Sequence, residues 1–177
     1  MAVIVTLTGY MGSGKTETGK ELARLLGMPF VDLDAYIKER TGLAPAQIIE
    51  EKGESIFRVY EHRLLRELLD TYDHAVLSTG GGTFVQPENR KLLKEKTFTV
   101  FLDAPFALLR RRLDRAYVRR PLLPRAADGK PDWKAVENHY RSRLASYEKA
   151  DVRVVNNFSS PLETAEFIAR RILNAKR

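Results

Sequence analysis

The chain has 177 residues, of which 30% are charged and 44% hydrophobic, and its formal net charge is +7. This length predicts a single domain over residues 1–177 with enough core to fold unaided, and the balance of charged and hydrophobic residues argues against intrinsic disorder. No apolar run approaches the ~20 residues of a membrane helix, and the absence of cysteine excludes disulfides, thiol catalysis and cysteine-based zinc sites.

The predicted elements alternate between strands and helices. Apolar runs predict strands at Val3–Thr8, Phe30–Asp32, Ala75–Ser78, Phe98–Leu102 and Val152–Val155. Helical periodicity predicts helices at about 15–26, 34–52, 54–71, 87–95, 105–115, 134–148 and 161–175. The alternation predicts a three-layer α/β sandwich, in which helices cover both faces of a five-stranded parallel sheet and ligands bind at the carboxyl ends of the strands.

The beginning of the first predicted strand bears on the cellular compartment. A strand that starts near residue 2 leaves no room for a signal or transit peptide, so with no cysteine present we expect a cytoplasmic protein.

Residues 9–16, with the sequence Gly-Tyr-Met-Gly-Ser-Gly-Lys-Thr, match the phosphate-binding loop pattern at every fixed position. A predicted strand precedes them and a predicted helix follows, which is the context that this pattern requires. The loop amides and the helix N-terminus suit phosphate oxygens, the lysine can reach the β- and γ-phosphates, and the threonine hydroxyl can ligate Mg²⁺. The residues predicted to bind the nucleotide are Gly12, Ser13, Gly14, Lys15 and Thr16.

Two aspartates, Asp32 and Asp34, end the second predicted strand and begin the connection after it. Side chains two residues apart share a face of a strand, so both carboxylates are expected to point into the cleft above the sheet. One could hold waters of Mg²⁺ and the other could orient a hydroxyl and accept its proton, although Asp34 could instead be the N-cap of the next helix. Asp103 competes for the Mg²⁺ role, but the nearby Pro105 favours a helix-capping role for Asp103.

Arginine is concentrated between Arg110 and Arg125, where seven arginines accompany one acid, Asp114. Such a run is typical of nucleic-acid binding or of a small, highly charged phosphate ligand. Since the run contains few aromatic residues and lies in a chain with a phosphate-binding loop, the small ligand is favoured. Residues 116–132 are too polar for a core and too rich in proline for a helix, so we predict a lid, with a flexible surface loop as the alternative.

Three further features carry little information singly. The glycine run 80–82 follows the third predicted strand, which indicates either a backbone that passes close to a ligand or a flexible loop. Arg58 and Glu61 share a face of a predicted helix, where the default interpretation is a solvated salt bridge. Arg143 has no distinctive context of its own.

Taken together, these motifs resemble the shikimate kinase family of small P-loop kinases. The resemblance covers nearly the whole chain, and the order and spacing of its motifs are more specific than any one of them. The matching segments are residues 9–16, Val31–Asp34, Arg40-Thr41-Gly42, Gly53-Glu54, Phe57-Arg58, Glu61, Gly80–Gly82, Arg120-Pro121-Leu122-Leu123, Arg143, Tyr147 and Asp151.

The resemblance implies phosphorylation of the shikimate 3-hydroxyl with ATP and Mg²⁺, in the pathway to chorismate and the aromatic amino acids. It implies a five-stranded P-loop fold with a mobile lid, at about 116–132, and a substrate-binding helical region, at about 33–62. It further implies small-molecule partners, neither a nucleic-acid nor a membrane partner, and a monomer.

The resemblance also implies roles for single residues. Lys15 and Thr16 match the family's phosphate and Mg²⁺ ligands, and Asp32 matches its water-mediated Mg²⁺ contact. Asp34 matches the carboxylate that holds the reactive hydroxyl, and Arg120 matches the lid arginine that reaches the transferred phosphate. The implied catalytic residues are Lys15, Asp34 and Arg120.

The remaining implied roles concern the two substrates. Arg111 matches an arginine that stacks on adenine. Arg58 and Arg143 match the pair that binds the shikimate carboxylate, Glu61 supports that site, and glycine backbone lines it. The implied shikimate-binding residues are Asp34, Arg58, Glu61, Gly80, Gly81, Gly82 and Arg143.

Three alternatives stay open at the level of sequence. A gluconate or nucleoside monophosphate kinase is the nearest, although the chain has no Asp-Gly-x-Pro-Arg stretch of the adenylate kinase type. A GTPase-like switch would require a guanine motif of the Asn-Lys-x-Asp type, which is absent. A nucleic-acid-binding ATPase is supported by the basic run alone.

Overall fold

A single parallel sheet organises the computed structural model, which describes residues 3–115, 123–156 and 160–175. The strand order is β2-β3-β1-β4-β5, and all four pairings are parallel. The strands are β1 (Val3–Thr8), β2 (Phe30–Asp32), β3 (His74–Ser78), β4 (Thr97–Asp103) and β5 (Val152–Val155). The predicted five-stranded sheet is therefore confirmed, with β1 at its centre.

Helices fill the connections between the strands. The helices of the described residues are α1 (Lys15–Leu26), α2 (Leu33–Thr41), α3 (Pro45–Lys52), α4 (Glu54–Thr71), α5 (Pro87–Lys96), α6 (Phe106–Asp114), α7 (Trp133–Tyr147) and α8 (Pro161–Ala175). A short 3₁₀ helix over Thr83–Val85, which the sequence analysis did not predict, links β3 to α5. None of the helices in the described part of the chain is long and apolar enough to cross a membrane.

The two faces of the sheet support separate cores, as a three-layer sandwich requires. Along β1, Ile4 packs into the core that includes residues of α4, α5 and α7. Val5 and Leu7 pack into the other core, with residues of α1 and α8. Because alternate residues of a strand point to opposite faces, this central strand contributes to both cores and is almost fully buried.

The single helix predicted at about 34–52 is wrong, because the chain forms two helices there. Gly42 adopts a left-handed conformation, with φ of 74°, and ends α2. Pro45 is the first residue of α3, and the extended conformation of Ala44, with ψ of 151°, is the one that a residue before proline favours. The break divides this part of the chain into two short helices, α2 and α3, and both pack on α4.

The helix-capping role expected for Asp103 is also wrong. The N-cap of α6 is Pro105, whose ring has no group that could accept a capping hydrogen bond. The Asp103 carboxylate instead accepts hydrogen bonds from Tyr140, at 3.2 Å, and from Arg153, at 3.0 and 2.6 Å. Asp103 therefore ties α7 and β5 to the end of β4.

The predicted lid lies only partly within the described residues. Residues 116–122, which include Arg120, are outside them. Residues 123–132 form a tight turn in which Arg125 and Pro131 make an antiparallel bridge, and Leu123 is buried. A lid over 116–132 therefore stays a prediction.

The packing of α1 on β2 gives a test of the fold. A Cβ atom added at Gly19 would lie 2.6 Å from a Phe30 ring carbon and 3.3 Å from a methyl of the buried Leu7. Alanine in a helix interior gains about 1 kcal/mol over glycine, whereas overpacking a filled core costs about 1–3 kcal/mol. We therefore expect Gly19→Ala to lower the free energy of unfolding by about 1 kcal/mol, measured by urea denaturation.

The double variant Gly19→Ala/Phe30→Leu is the control for this prediction. If the ring contact is the cause, the alanine should become neutral or stabilising in the Phe30→Leu background. An increase in stability for Gly19→Ala alone would contradict the packing argument.

Candidate functional site

The residues predicted from separate motifs converge on one cavity at the carboxyl edge of the sheet. The cavity has a volume of about 500 Å³. Its lining comes from the loop after β1, the ends of β2 and β3, the segment after β3, the first turns of α1 and α2, and residues of α6 and α8. The lining residues are Met11, Gly12, Gly14, Lys15, Thr16, Glu17, Asp32, Asp34, Ser78, Thr79, Gly80, Gly81, Arg112 and Pro161.

The loop of residues 9–14 has the backbone shape of an anion site. Gly12 and Gly14 adopt φ of 84° and 94°, conformations that residues with a Cβ atom rarely adopt. Helix α1 begins directly afterwards at Lys15. The Lys15 ammonium is buried and donates to the carbonyl oxygens of Gly9 and Tyr10, each at 2.9 Å. A helix N-terminus and an ammonium group therefore face the same cavity, which suits a phosphate chain.

Thr16 and Asp32 lie side by side at the cavity wall. The Thr16 hydroxyl donates to one Asp32 oxygen at 3.1 Å, and the other Asp32 oxygen accepts from the backbone N–H groups of Asp34 and Ala35. In the part of the chain that the structure describes, no group of three or more His, Cys, Asp or Glu side chains could hold a metal ion alone. One hydroxyl and one carboxylate fit Mg²⁺, because this ion keeps several waters and takes its other ligands from substrate phosphates.

Asp34 occupies a different position from Asp32, although both line the cavity. Asp32 is the N-cap of α2, so Asp34 is not the cap but a residue of the first turn. The Asp34 carboxylate is exposed to the cavity and lies against Gly80, where an added Cβ would come within 3.2 Å of it. A hydroxyl that enters the cavity can therefore approach this carboxylate.

Arg58 is held between two carboxylates of α4. Its guanidinium donates to Glu54, at 2.8 and 3.2 Å, and to Glu61, at 2.9 Å. Glu61 is 1% exposed, so the pair is a buried one and not the solvated salt bridge that was the default interpretation. Burial opposes the charge, but the two carboxylates outweigh it and raise the pKa of Arg58.

The backbone after β3 separates Arg58 from Arg143. A Cβ atom at Gly82 would lie 2.5 Å from an Arg58 nitrogen, so only glycine lets the guanidinium approach so closely. On α7, Arg143 donates to the carbonyl oxygen of Gly81 at 3.3 Å, and the buried Tyr147 hydroxyl donates to the same oxygen. The two guanidinium groups therefore contact adjacent residues, Gly82 and Gly81, whose Cα atoms are ~3.8 Å apart.

Three comparisons with known proteins agree with this arrangement. The model of the shikimate kinase family matches residues 11–175. A shikimate kinase from Dictyoglomus turgidum is 37% identical over 170 residues, which are 94% of this chain and 95% of the relative. One from Thermus thermophilus is 37% identical over 171 residues, 97% of this chain and 90% of the relative. The solved structure of Acinetobacter baumannii shikimate kinase in complex with shikimate matches with a TM-score of 0.89 at 33% identity, covering 99% and 96% of the two chains.

The chain belongs to the shikimate kinase family. The family resemblance inferred from the motifs is confirmed, and with it a transferase with a P-loop kinase fold. Neither a gluconate-type kinase nor a nucleic-acid-binding ATPase is favoured by these matches.

The structure brings together most of the residues that the shikimate kinase motifs singled out. The phosphate-binding loop, Asp32, Asp34 and the glycines 80 and 81 line one cavity, and Arg58, Glu61, Gly82 and Arg143 adjoin it. Arg120 lies outside the described residues. Arg111 is exposed on α6 and is absent from the cavity lining, so its contact with adenine stays a prediction.

Two residues at the nucleotide side were missed by the sequence analysis. Arg112 lines the cavity and donates to the Gly12 carbonyl oxygen at 2.9 Å; burial and the neighbouring Arg111 charge lower its pKa. The Asn156 amide donates to the Ser13 carbonyl oxygen at 2.7 Å and accepts from Thr164 at 2.9 Å. Helical phasing could have found Arg112, since Leu109 and Leu113 are buried on the same helix, but no local pattern marks Asn156.

A titratable contact joins the phosphate-binding loop to α7. The Tyr10 hydroxyl and His139 Nδ1 are 2.7 Å apart, and their rings meet edge to face. Burial and then the Arg143 charge lower the pKa of His139 to about 4, against an opposing effect of Glu54. Burial raises the pKa of Tyr10 to about 12 despite the Arg143 charge. Both groups are therefore neutral near pH 7.

The lowered pKa of His139 predicts a pH-dependent stability. Between pH ~6.5 and about 4, His139 is protonated in the unfolded chain but not in the folded one. Its contribution to stability is therefore present above pH ~6.5 and is lost as the pH falls toward 4. We expect the free energy of unfolding to fall less between pH 7.5 and pH 5 in His139→Gln than in the unaltered protein. Urea denaturation at both pH values measures the difference, and parallel pH profiles would contradict it.

Proposed function

We propose that this chain transfers the γ-phosphoryl group of ATP to the 3-hydroxyl of shikimate and releases ADP and shikimate 3-phosphate. The observation that carries the proposal is the pair Arg58 and Arg143, which come from different helices and meet the backbone of Gly81 and Gly82 beside a phosphate-binding loop. Two guanidinium groups next to a phosphate cavity suit an acceptor that carries a carboxylate. The relatives named shikimate kinase support the same acceptor.

In this proposal the acceptor is oriented by groups on both sides. Arg58 and Arg143 bind the carboxylate, and the glycine backbone at 80–82 leaves room for the ring. Asp34 accepts a hydrogen bond from the 3-hydroxyl and takes up its proton as the oxygen attacks phosphorus. Holding the hydroxyl in line with the γ-phosphate is the larger part of the catalysis, because phosphoryl transfer depends on positioning and on charge neutralisation.

The nucleotide is held by the other half of the cavity. The amides of Gly12, Ser13 and Gly14 and the Lys15 ammonium bind its phosphates, with Arg120 reaching the transferred group from the lid. Thr16 and Asp32 would hold Mg²⁺, and the ion would supply positive charge that neutralises the nucleotide phosphates. We further propose that the enzyme acts as a cytoplasmic monomer with small-molecule substrates, without a nucleic-acid or membrane partner.

A coupled assay of ADP release tests the function itself. With ATP and Mg²⁺ we expect turnover with shikimate, and none with gluconate or a nucleoside monophosphate. A faster reaction with either of the other acceptors would overturn the proposal.

The arginine pair predicts a selective loss of acceptor binding. Truncating one arm of a buried charged contact costs about 2–5 kcal/mol, so Arg58→Ala and Arg143→Ala should each raise the KM for shikimate at least about tenfold, with the KM for ATP nearly unchanged. Arg141→Ala is the matched control, because this arginine is on the same helix as Arg143 but its side chain is 68% exposed and pairs with Glu137. Unaltered shikimate kinetics in both variants would rule the pair out.

The two aspartates are expected to have separable phenotypes. Asp34→Asn removes the proton acceptor and should lower kcat by about 10²-fold or more while nucleotide binding is kept. Asp32→Asn should instead raise the Mg²⁺ concentration required for half-maximal rate. Titrating Mg²⁺ in the coupled assay and measuring ADP affinity by calorimetry separates the two, and exchanged phenotypes would contradict the assignment.

A further inference from the structure

Among the described residues, Glu61 is the most deeply buried carboxylate beside the site, and its hydrogen bonds reach beyond Arg58. One carboxylate oxygen accepts from the Thr83 hydroxyl at 2.8 Å. The other accepts from Arg58 at 2.9 Å and from the Asn89 side-chain amide at 3.3 Å. Asn89 is 2% exposed on α5, so it reaches Glu61 from a third element, behind the residues that face the cavity.

The hydrogen-bond chain fixes which way the Asn89 amide points. A carboxylate can only accept, so the amide nitrogen must face Glu61 and the amide oxygen must face outward. The outward oxygen lies 2.7 Å from His62 Nδ1, which therefore carries a hydrogen and donates. Reversing the amide would set oxygen against oxygen at Glu61 and would also break the contact with His62.

From this chain we propose that Asn89 is a positioning residue for the acceptor carboxylate, which acts through Glu61 on Arg58. The inference rests on the proposed function for its substrate, and it adds a residue that neither the motifs nor the cavity lining contain. With Asn89 and Thr83 on its two oxygens, Glu61 has a fixed rotamer, and it presents one oxygen to the Arg58 guanidinium. Arg58 is thereby set against Gly82 before the substrate arrives.

The physical reason lies in the cost of ordering a long side chain. An arginine carries about 2 kcal/mol of rotamer entropy, and an arginine that is already ordered loses less on binding. Glu54 cannot order Arg58 alone, because its side chain is 51% exposed and water competes for it. The buried partners of Glu61 therefore supply the rigidity, and loss of the Asn89 amide should weaken acceptor binding without touching the nucleotide.

Kinetics of Asn89→Ala provide the first test. Removing a buried hydrogen bond to a charged group predicts a rise of about tenfold in the KM for shikimate, with the KM for ATP and kcat changed less than about twofold. Asn156→Ala is the matched comparison, because Asn156 is also a buried asparagine near the site but donates to the Ser13 carbonyl oxygen, so its loss should raise the KM for ATP instead. A thermal melt checks that each variant folds. Equal effects on both substrates would overturn the proposal.

A double-variant cycle distinguishes positioning from general support of the fold. If Asn89 acts through Arg58, then adding Asn89→Ala to Arg58→Ala should leave the KM for shikimate unchanged. If Asn89 only supports the loop of residues 80–85, its effect should persist at full size in the absence of the arginine. An additive cycle would therefore overturn the proposal.

A third measurement does not depend on turnover. The ¹H–¹⁵N signal of the Arg58 Nε–H, assigned by its loss in Arg58→Ala, should shift in substrate-free Asn89→Ala and shift less in His62→Phe, which removes only the outer contact. This signal also tests the proposal if Asn89→Ala proves unstable, because His62→Phe leaves the Asn89 amide in place. If the signal does not move in either variant, Asn89 does not position Arg58. If the signal shifts but the protein does not phosphorylate shikimate, the positioning role stands and only the proposed function is contradicted.

Discussion

The contact of α7 with the carbonyl oxygen of Gly81 is the one on which the rest of the site depends. Tyr147 and Arg143 both donate to that oxygen, and Gly81 itself packs on the phosphate-binding loop, where an added Cβ would lie 3.2 Å from the amide nitrogen of Met11. Tyr147 is fully buried, and burial raises its pKa well above the ordinary value, so it stays a donor. One peptide unit thus fixes the distance between the half of the site that suits phosphate and the half that suits a carboxylate.

The charges around this contact are arranged in order of exposure. Glu61 is buried and committed to Arg58, whereas Glu54 is half-exposed and holds the outer edge of the same guanidinium. A substrate carboxylate can displace a hydrated partner far more cheaply than a buried one, because the buried one would be left without compensation. The lowered pKa of His139 keeps its imidazole neutral even at mildly acidic pH, so this side chain adds no positive charge next to Arg143.

Much of this arrangement could be predicted from the sequence, and the rest could not for identifiable reasons. Strand patterns and the phosphate-binding loop are local, so β1, β2 and β5 were predicted with their observed bounds. The break at Gly42 was missed because apolar periodicity was followed across it, although Gly42 ends α2 and Pro45 begins α3. Asp103 was misassigned because its partners, Tyr140 and Arg153, lie 37 and 50 residues away.

The burial of Glu61 illustrates the limit of reading pairs along one helix. Spacing along a helix predicts the contact between Arg58 and Glu61 but does not say whether the pair is buried. Burial decides whether the pair is a weak surface ion pair or a contact that holds the arginine in place. Burial here is decided by Thr83 and Asn89, which belong to a 3₁₀ turn and to α5 and satisfy the lone pairs that arginine leaves free. The specificity of a charged pocket is therefore set by the polar groups behind it, because they decide whether an arginine is already in place when its ligand arrives.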